Sequence, residues 1–263
     1  MTSATASTTG LQVHQFPCLN DNYGFLAHDP ATGATAVIDT PEVEPINAAL
    51  QARGWTLSHI WNTHHHFDHA GGNEALKQQW GATVVGARND AERIPGIDQQ
   101  VSEGDMLELG ALRARVIEVP GHTSGHIAYH FADDAVAFVG DTLFALGCGR
   151  LFEGTPEQMW RSLGKLMALP DATVVYCAHE YTQANARFAV TVDPQNQALR
   201  DRVAQFDRLR ADSQPTVPTS IGLEKATNPF LRAAQPQLAQ VLKLDPADPV
   251  AVFAETRRRK DQF

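Results

Sequence analysis

The chain has 263 residues, 43% hydrophobic and 19% charged, and its 21 basic and 30 acidic side chains give a net charge of −9. That length allows one large domain or two around a sizeable core, and the composition excludes disorder, collagen-like repeats and coiled coil. The negative charge disfavours a broad nucleic-acid or anionic-membrane surface, and no stretch nears the ~18 consecutive apolar residues of a membrane helix.

Residues 1–10, MTSATASTTG, lack the basic and apolar parts of a secretion signal and read as a flexible leader. Short apolar runs bounded by Gly, Pro, Asp and Asn then predict strands at Leu11–Phe16, Ala34–Asp39, Leu57–Asn62, Ala111–Val119, Ala135–Gly140 and Thr173–Cys177. Helices are expected at Glu44–Arg53, Asn73–Trp80 and Pro156–Met167, the last with Thr155 as N-cap, Pro156 in the first turn and Gln158 as capping-box partner. Beyond Glu180 the pattern is helical, clearest at Gln195–Arg210 and at Pro249–Lys260 behind the cap Asp248, with a Pro-bearing polar loop at Ser213–Ser220. Charge follows the same division. Residues 1–179 carry nine basic and twenty acidic side chains, residues 180–263 twelve and ten, and all 11 histidines lie at or before His179. A strand-rich body over residues 11–179 and a helical appendage over residues 180–263 are the expected organisation. Cys18, Cys148 and Cys177, odd in number and scattered, fit small buried hydrophobes in a reducing cytosol.

The most informative stretch is Thr63–Gly72, THHHFDHAGG, which follows an expected strand. On an extended backbone His64, His66 and Asp68 converge on one side as the strand gives out into a loop, and His69 then turns into the next helix start. Imidazole and carboxylate suit zinc or iron, and four such groups are too many for one tetrahedral ion that keeps an open position, so two neighbouring metals are expected. Three more strand ends offer polar residues on loops: Pro120–His126 (PGHTSGH), Gly140-Asp141-Thr142 and Ala178-His179-Glu180. His14, His28, His59 and His130 read as structural.

The His-x-His-x-Asp-His core with the later His, Asp and His resembles the metallo-β-lactamase superfamily. Leu19–Tyr23, Gly140–Phe144 with Gly147–Arg150, Cys177–Thr182, Asn228–Arg232 and Arg257–Phe263 extend the likeness over nearly the whole chain to the glyoxalase II (hydroxyacylglutathione hydrolase) family. The resemblance implies an α/β fold, an αββα sandwich, with a C-terminal helical domain over the active-site mouth. It implies that His64, His66 and His122 hold one divalent ion, that Asp68, His69 and His179 hold the other, and that Asp141 bridges them. Zinc comes first, with iron or manganese as alternatives. His65 and His126 match the motif without being ligands. The implied reaction is hydrolysis of S-D-lactoylglutathione to D-lactate and glutathione, the second step of methylglyoxal detoxification.

In the mechanism that follows, a metal-bridged hydroxide attacks the thioester, with Asp68 and Asp141 as the catalytic carboxylates and no covalent enzyme intermediate on Ser124 or Cys148. Arg257 and Lys260 match family positions at the glycine end of glutathione, Tyr181 matches a glutathione-contacting tyrosine, and Arg150 stands where lysine is common. Phe152 replaces a tyrosine, so one hydrogen bond to glutathione is expected to be missing. A cytoplasmic monomer without nucleic-acid or membrane partners is expected. Competing readings are a single-iron oxygenase acting on glutathione persulfide, a non-catalytic metal-binding module and, further off, flavodiiron-type electron transfer.

Overall fold

The computed structural model describes residues 10–263, so the expected leader lies outside the described residues except for Gly10. The first half of the body runs β1 (Gln12–Cys18), β2 (Asn22–His28), β3 (Thr35–Ile38), α1 (Val43–Arg53), β4 (His59–Trp61), α2 (Phe67–Ala70), α3 (Asn73–Trp80), β5 (Thr83–Ala87) and β6 (Gln99–Val101). These strands form a six-stranded sheet in chain order, antiparallel from β1 to β3 and parallel from β3 to β6.

The second half runs β7 (Met106–Leu109), β8 (Leu112–Glu118), β9 (Ile127–Phe131), β10 (Val136–Gly140), the two-residue strands β11 (Leu143–Phe144) and β12 (Gly147–Cys148), α4 (Pro156–Met167) and β13 (Val174–Cys177). The chain continues through α5 (Thr182–Val192), α6 (Gln197–Ala211), β14 (Thr219–Ser220), α7 (Ile221–Thr227), α8 (Pro236–Leu242) and α9 (Pro249–Asp261). The second sheet has the order β14-β13-β10-β9-β8-β7.

Side-chain alternation explains the layering. Along β2 and β3, Phe25, Ala27, Ala36 and Ile38 face the core between the sheets, while Leu26 and Val37 face the opposite side, where Ile46 and Leu50 of α1 and Leu76 of α3 cover them. Both faces of these strands are therefore apolar, which is why β3 reads as a continuous hydrophobic run, whereas β2 was not among the expected strands. Trp61, Tyr129, Phe131 and Phe138 fill the space between the sheets. Met159, Leu163 and Leu166 of α4 join the same core, and Trp160 of α4 packs on Phe253 of α9. The result is an α/β fold with a C-terminal helical domain.

The expected starts of two helices are realised. Thr155 accepts from the backbone of Gln158, whose side chain returns the bond, and Asp248 accepts from the backbone of Ala251. The Ser213–Ser220 segment is not wholly a loop, and the tail is not purely helical. Thr219–Ser220 pairs antiparallel with β13 and adds an edge strand to the second sheet. A two-residue strand carries too little alternation to be read from sequence. All three cysteines are buried and unpaired. No helix among the described residues is long and apolar enough to cross a membrane.

One buried polar cluster ties the tail to the body. Arg202 of α6 donates to Thr227, Thr219 and Glu224 at 2.6, 2.6 and 2.5 Å. Glu224, fully buried, also accepts from the Leu146 backbone and from Asn228 at 2.9 Å each, and Asn228 donates to the Phe144 and Gly147 carbonyls of the β11–β12 hairpin. Arg202→Met leaves the Glu224 carboxylate buried without its cation and is expected to destabilise the chain by about 3–5 kcal/mol. Thr155→Ala removes only a helix cap and is expected to cost about 1 kcal/mol. Urea unfolding of the two variants beside the parent chain checks both values.

Candidate metal centre

The expected ligands other than Asp68 and His69, together with the non-ligand His126, lie on loops at the ends of strands of the two sheets. His64 and His66 follow β4, His122 and His126 lie between β8 and β9, Asp141 follows β10 and His179 follows β13. The convergence of the first group differs from the sequence expectation. β4 ends at Trp61, a bend follows, and Phe67–Ala70 forms a single helical turn, so Asp68 is brought in by helical curvature and not by strand alternation, alongside His69, which was expected at a helix start. Asp141 is aimed by a slip in the β10–β13 register between Phe138 and Gly140, and by a left-handed Gly140 at φ 49°. A side chain at Gly140 would collide with Thr63 and His126.

The groups assemble in two sets that share one carboxylate. His64 Nε2 and His122 Nε2 stand 3.0 and 3.1 Å from His66 Nδ1. On the other side, Asp68 Oδ2 lies 3.5 Å from both His69 Nε2 and His179 Nε2. Asp141 faces both sets with different oxygens. Oδ1 is 3.4 Å from His69 and 3.3 Å from His179, while Oδ2 is 3.5 Å from His122. Within each of the triads His64–His66–His122, His64–His69–Asp141 and Asp68–His69–His179, the ligand atoms all lie within 4.8 Å of one another. Asp141 Oδ1 and His69 Nε2 are buried without a hydrogen-bond partner. A cation among these atoms would satisfy both, so the donor set fits divalent metals.

The ring nitrogens facing away from the centre are held from behind, which fixes ring orientation. His64 Nδ1 meets Thr63 Oγ1 at 3.1 Å, His122 Nδ1 the Arg150 carbonyl at 2.9 Å, His69 Nδ1 Asp39 at 2.8 Å and His179 Nδ1 Asp21 at 2.9 Å. Asp39 also accepts from the backbone and hydroxyl of Thr63, and Asn22 donates to Asp68 at 3.1 Å. The sequence reading includes Asp21 and Asn22 only in the Leu19–Tyr23 likeness and Asp39 only as the end of an expected strand, and gives none of them a role at the metal site. An Asp at a strand end looks like a turn residue until its distant partner is known. His126 stacks on His64 and accepts from the Asp141 backbone at 3.0 Å, and His65 points away from the centre to Asp90. His14, His28, His59 and His130 join none of the three triads; His28, for example, stacks on Trp55.

Electrostatics separate the two sets. Burial, then neighbouring imidazoles, hold His64 and His66 below the ordinary histidine range, and burial lowers His122 as well. The shift favours the neutral ring, the form that binds metal. Burial also opposes charge on His69 and His179, yet Asp141, helped by Asp39 at His69 and by Asp21 at His179, outweighs it and raises both. Burial disfavours the Asp141 carboxylate too, but His179 and His69 hold it below the usual range.

A cavity of about 540 Å³ opens over this floor. Its walls include Arg150, Phe152 and Tyr181 and, from the helical tail, Asn185, Arg257, Lys260 and Phe263. Tyr181 stacks on His179 at 4.6 Å between ring centroids, while Phe152, 62% exposed, stands edge-on to His66 and His122. Arg257 is buried, donates to the Cys148 carbonyl at 2.9 Å and pairs with Asp261. Lys260 donates to the Ala184 carbonyl at 3.1 Å. All four expected substrate-binding residues thus line the same cavity as the metal-ligand candidates His66, Asp68, His122, Asp141 and His179.

Comparison with known proteins agrees with this arrangement. Residues 22–179 match the family described as metallo-beta-lactamase superfamily, and residues 180–263 match the hydroxyacylglutathione hydrolase C-terminus. The chain is 57% identical over 253 residues to a hydroxyacylglutathione hydrolase of Maricaulis maris, covering 96% of this chain and 99% of the relative. The figures for the hydroxyacylglutathione hydrolase of Methylococcus capsulatus are the same. Among solved structures, ETHE1 from Myxococcus xanthus superposes with a TM-score of 0.66 at 28% identity, covering 94% of this chain and 98% of that one. Fold and donor set together make the cavity floor a binuclear site for divalent metals. The chain belongs to the hydroxyacylglutathione hydrolase family, thioester hydrolases of the metallo-β-lactamase superfamily.

Proposed function

We propose that the chain hydrolyses S-D-lactoylglutathione and related 2-hydroxyacylglutathiones to the hydroxy acid and glutathione, the second step of methylglyoxal detoxification, as a cytoplasmic monomer. The observation that carries the reading is a single cavity with a floor of histidines and aspartates and a wall of cations from the helical tail. At about 540 Å³ it lies within the ~300–1,000 Å³ range of small-molecule sites.

His64, His66 and His122 would hold one ion and Asp68, His69 and His179 the other, with Asp141 serving both through its two oxygens. Zinc is the first choice for these nitrogen and oxygen donors, and iron or manganese also suit them. When bound, such ions lower the pKa of water toward neutrality and polarise a carbonyl. The chain supplies the rest. Against burial, His69, and for Asp141 also His179, hold the Asp68 and Asp141 carboxyls below the usual range, which favours the anionic form. Tyr181 and Phe152 flank the floor and orient the thioester. Arg257, Lys260 and Arg150 place positive charge where the glutathione carboxylates would lie.

Neither alternative nucleophile is set up for attack. The Ser124 hydroxyl is engaged by Glu153 and Arg93. Burial pushes the Cys148 thiol up to about 11. A single-iron reading leaves Asp68, His69 and His179 gathered around nothing, which favours two ions.

Loss of thioester absorbance, measured before and after chelation, tests the activity. Hydrolysis is expected to vanish on chelation and return with zinc, and full turnover by the stripped chain would refute the reading. Asp141→Asn is expected to weaken the hold on both ions and to lower kcat/KM at least about 100-fold, checked by metal analysis beside kinetics. Lys260→Ala, alone and with Arg257→Ala, is expected to raise KM roughly tenfold with little change in kcat, because carrier contacts are shared by ground and transition states. A fall in kcat alone would count against that role.

A further inference from the structure

The two ligand sets differ in what supports them. Asp39 reaches both, through Thr63 on one side and His69 on the other. A second network, made of His65, Asp90, Arg93, Ser124 and Glu153, reaches only one. In the run His64-His65-His66 the middle ring turns outward, and its Nδ1 meets Asp90 Oδ2 at 3.0 Å. Its Nε2 lies 3.7 Å from Glu153 Oε1. The Asp90 side chain is fully buried, and its other oxygen pairs with Arg93.

Arg93 forks onto Glu153 at 2.5 and 3.1 Å and donates to Ser124 Oγ at 3.0 Å. Glu153 accepts from the Ser124 backbone at 2.7 Å and from its hydroxyl at 2.8 Å. Gly125 leaves the room that the Asp90 carboxylate occupies, since a Cβ there would overlap it. The network thus joins three segments. One carries His64 and His66, one carries His122, and the third carries Phe152, whose backbone donates to the His122 carbonyl at 3.2 Å.

Arg93 is the only cation of this cluster that is charged at every pH of interest, and two carboxylates share it. Without it Asp90 is a buried carboxylate facing only His65, and Glu153 loses the fork that holds the Phe152 segment against the His122 loop. No member of the network touches Asp68, His69 or His179, whose own supports are Asn22, Asp39 and Asp21.

We propose that Arg93 is a positioning residue for one ion of the pair, fixing His66 and His122 through Asp90, Ser124 and Glu153 while leaving the other ion's ligands undisturbed. The inference rests on the two-ion reading above.

Metal equivalents per folded chain, measured on the holoenzyme against increasing chelator, test it. Arg93→Ala is expected to release one of two equivalents at chelator concentrations roughly 10–100-fold below those that strip the parent chain, and to keep the second at parental strength. Arg93→Lys keeps the charge without the fork and is expected to fall between. In a His122→Ala background, Arg93→Ala is expected to add no further loss, because the ion it supports is already gone. Thermal unfolding confirms that each variant is folded, and Arg93→Lys and Glu153→Gln carry the same measurement if Arg93→Ala does not fold. Parental chelator sensitivity, simultaneous release of both equivalents, or further loss in the His122→Ala background overturns the proposal. A parent chain holding fewer than two equivalents overturns the two-ion reading and this inference with it, whereas two equivalents in the parent with an insensitive Arg93→Ala overturns this inference alone.

Discussion

A carboxylate buried among imidazoles sets the terms for the rest of this structure. Asp141 turns one oxygen to His69 and His179 and the other to His122, so its position decides whether the two ligand sets share a centre at all. Burying an acid is costly unless it is compensated, and here compensation comes from His69 on a helical turn and from His122 and His179 on two loops. That arrangement needs the register slip in the β10–β13 pairing, the left-handed Gly140, and a glycine at position 149, where a Cβ would overlap the Asp141 backbone and crowd His122. The backbone of Asp141 is then held by His126.

Around that acid the molecule divides its labour. The α/β body supplies rigid strand ends and all of the acidic surplus, and the tail, with a small basic surplus, supplies Arg257 and Lys260 beside the body's Arg150 on the cavity wall. A negative body with a locally positive mouth repels polyanions at large and suits the small carboxylated substrate proposed above. The Arg202–Glu224–Asn228 cluster matters because it clamps the tail to the β11–β12 hairpin. Cys148 of that hairpin offers the carbonyl on which Arg257 rests. Wall and floor are therefore held in register by buried polar bonds, which are directional, where apolar packing alone would leave more slack.

The sequence was most legible where the physics is local. The helix at Asn73–Trp80 and the one at Pro156–Met167 appear with the expected bounds, because a glycine cap or a capping box acts within a few residues of where it is written. The strand at Ala135–Gly140 was visible as an apolar run, while the slip that aims Asp141 was not, since it depends on how two strands distant in sequence pair. Helix α5 lies in the stretch beyond Glu180 that reads as helical, but its bounds were not legible there, because Tyr181 at its start offers no side-chain cap.

What the sequence alone determined is the chemistry: histidines and aspartates in a metal-binding spacing, a charge split near residue 180, and a likeness to a family of thioester hydrolases. What only the tertiary structure decided is the support. Asp21, Asn22, Asp39 and Asp90 look like ordinary turn or strand-end residues in the chain, and each gains its meaning from a partner between 25 and 158 positions away. Ligand identity is written in residue type and spacing, but ligand orientation is a matter of which distant carboxylate or amide stands behind each group, and that follows from packing two sheets face to face.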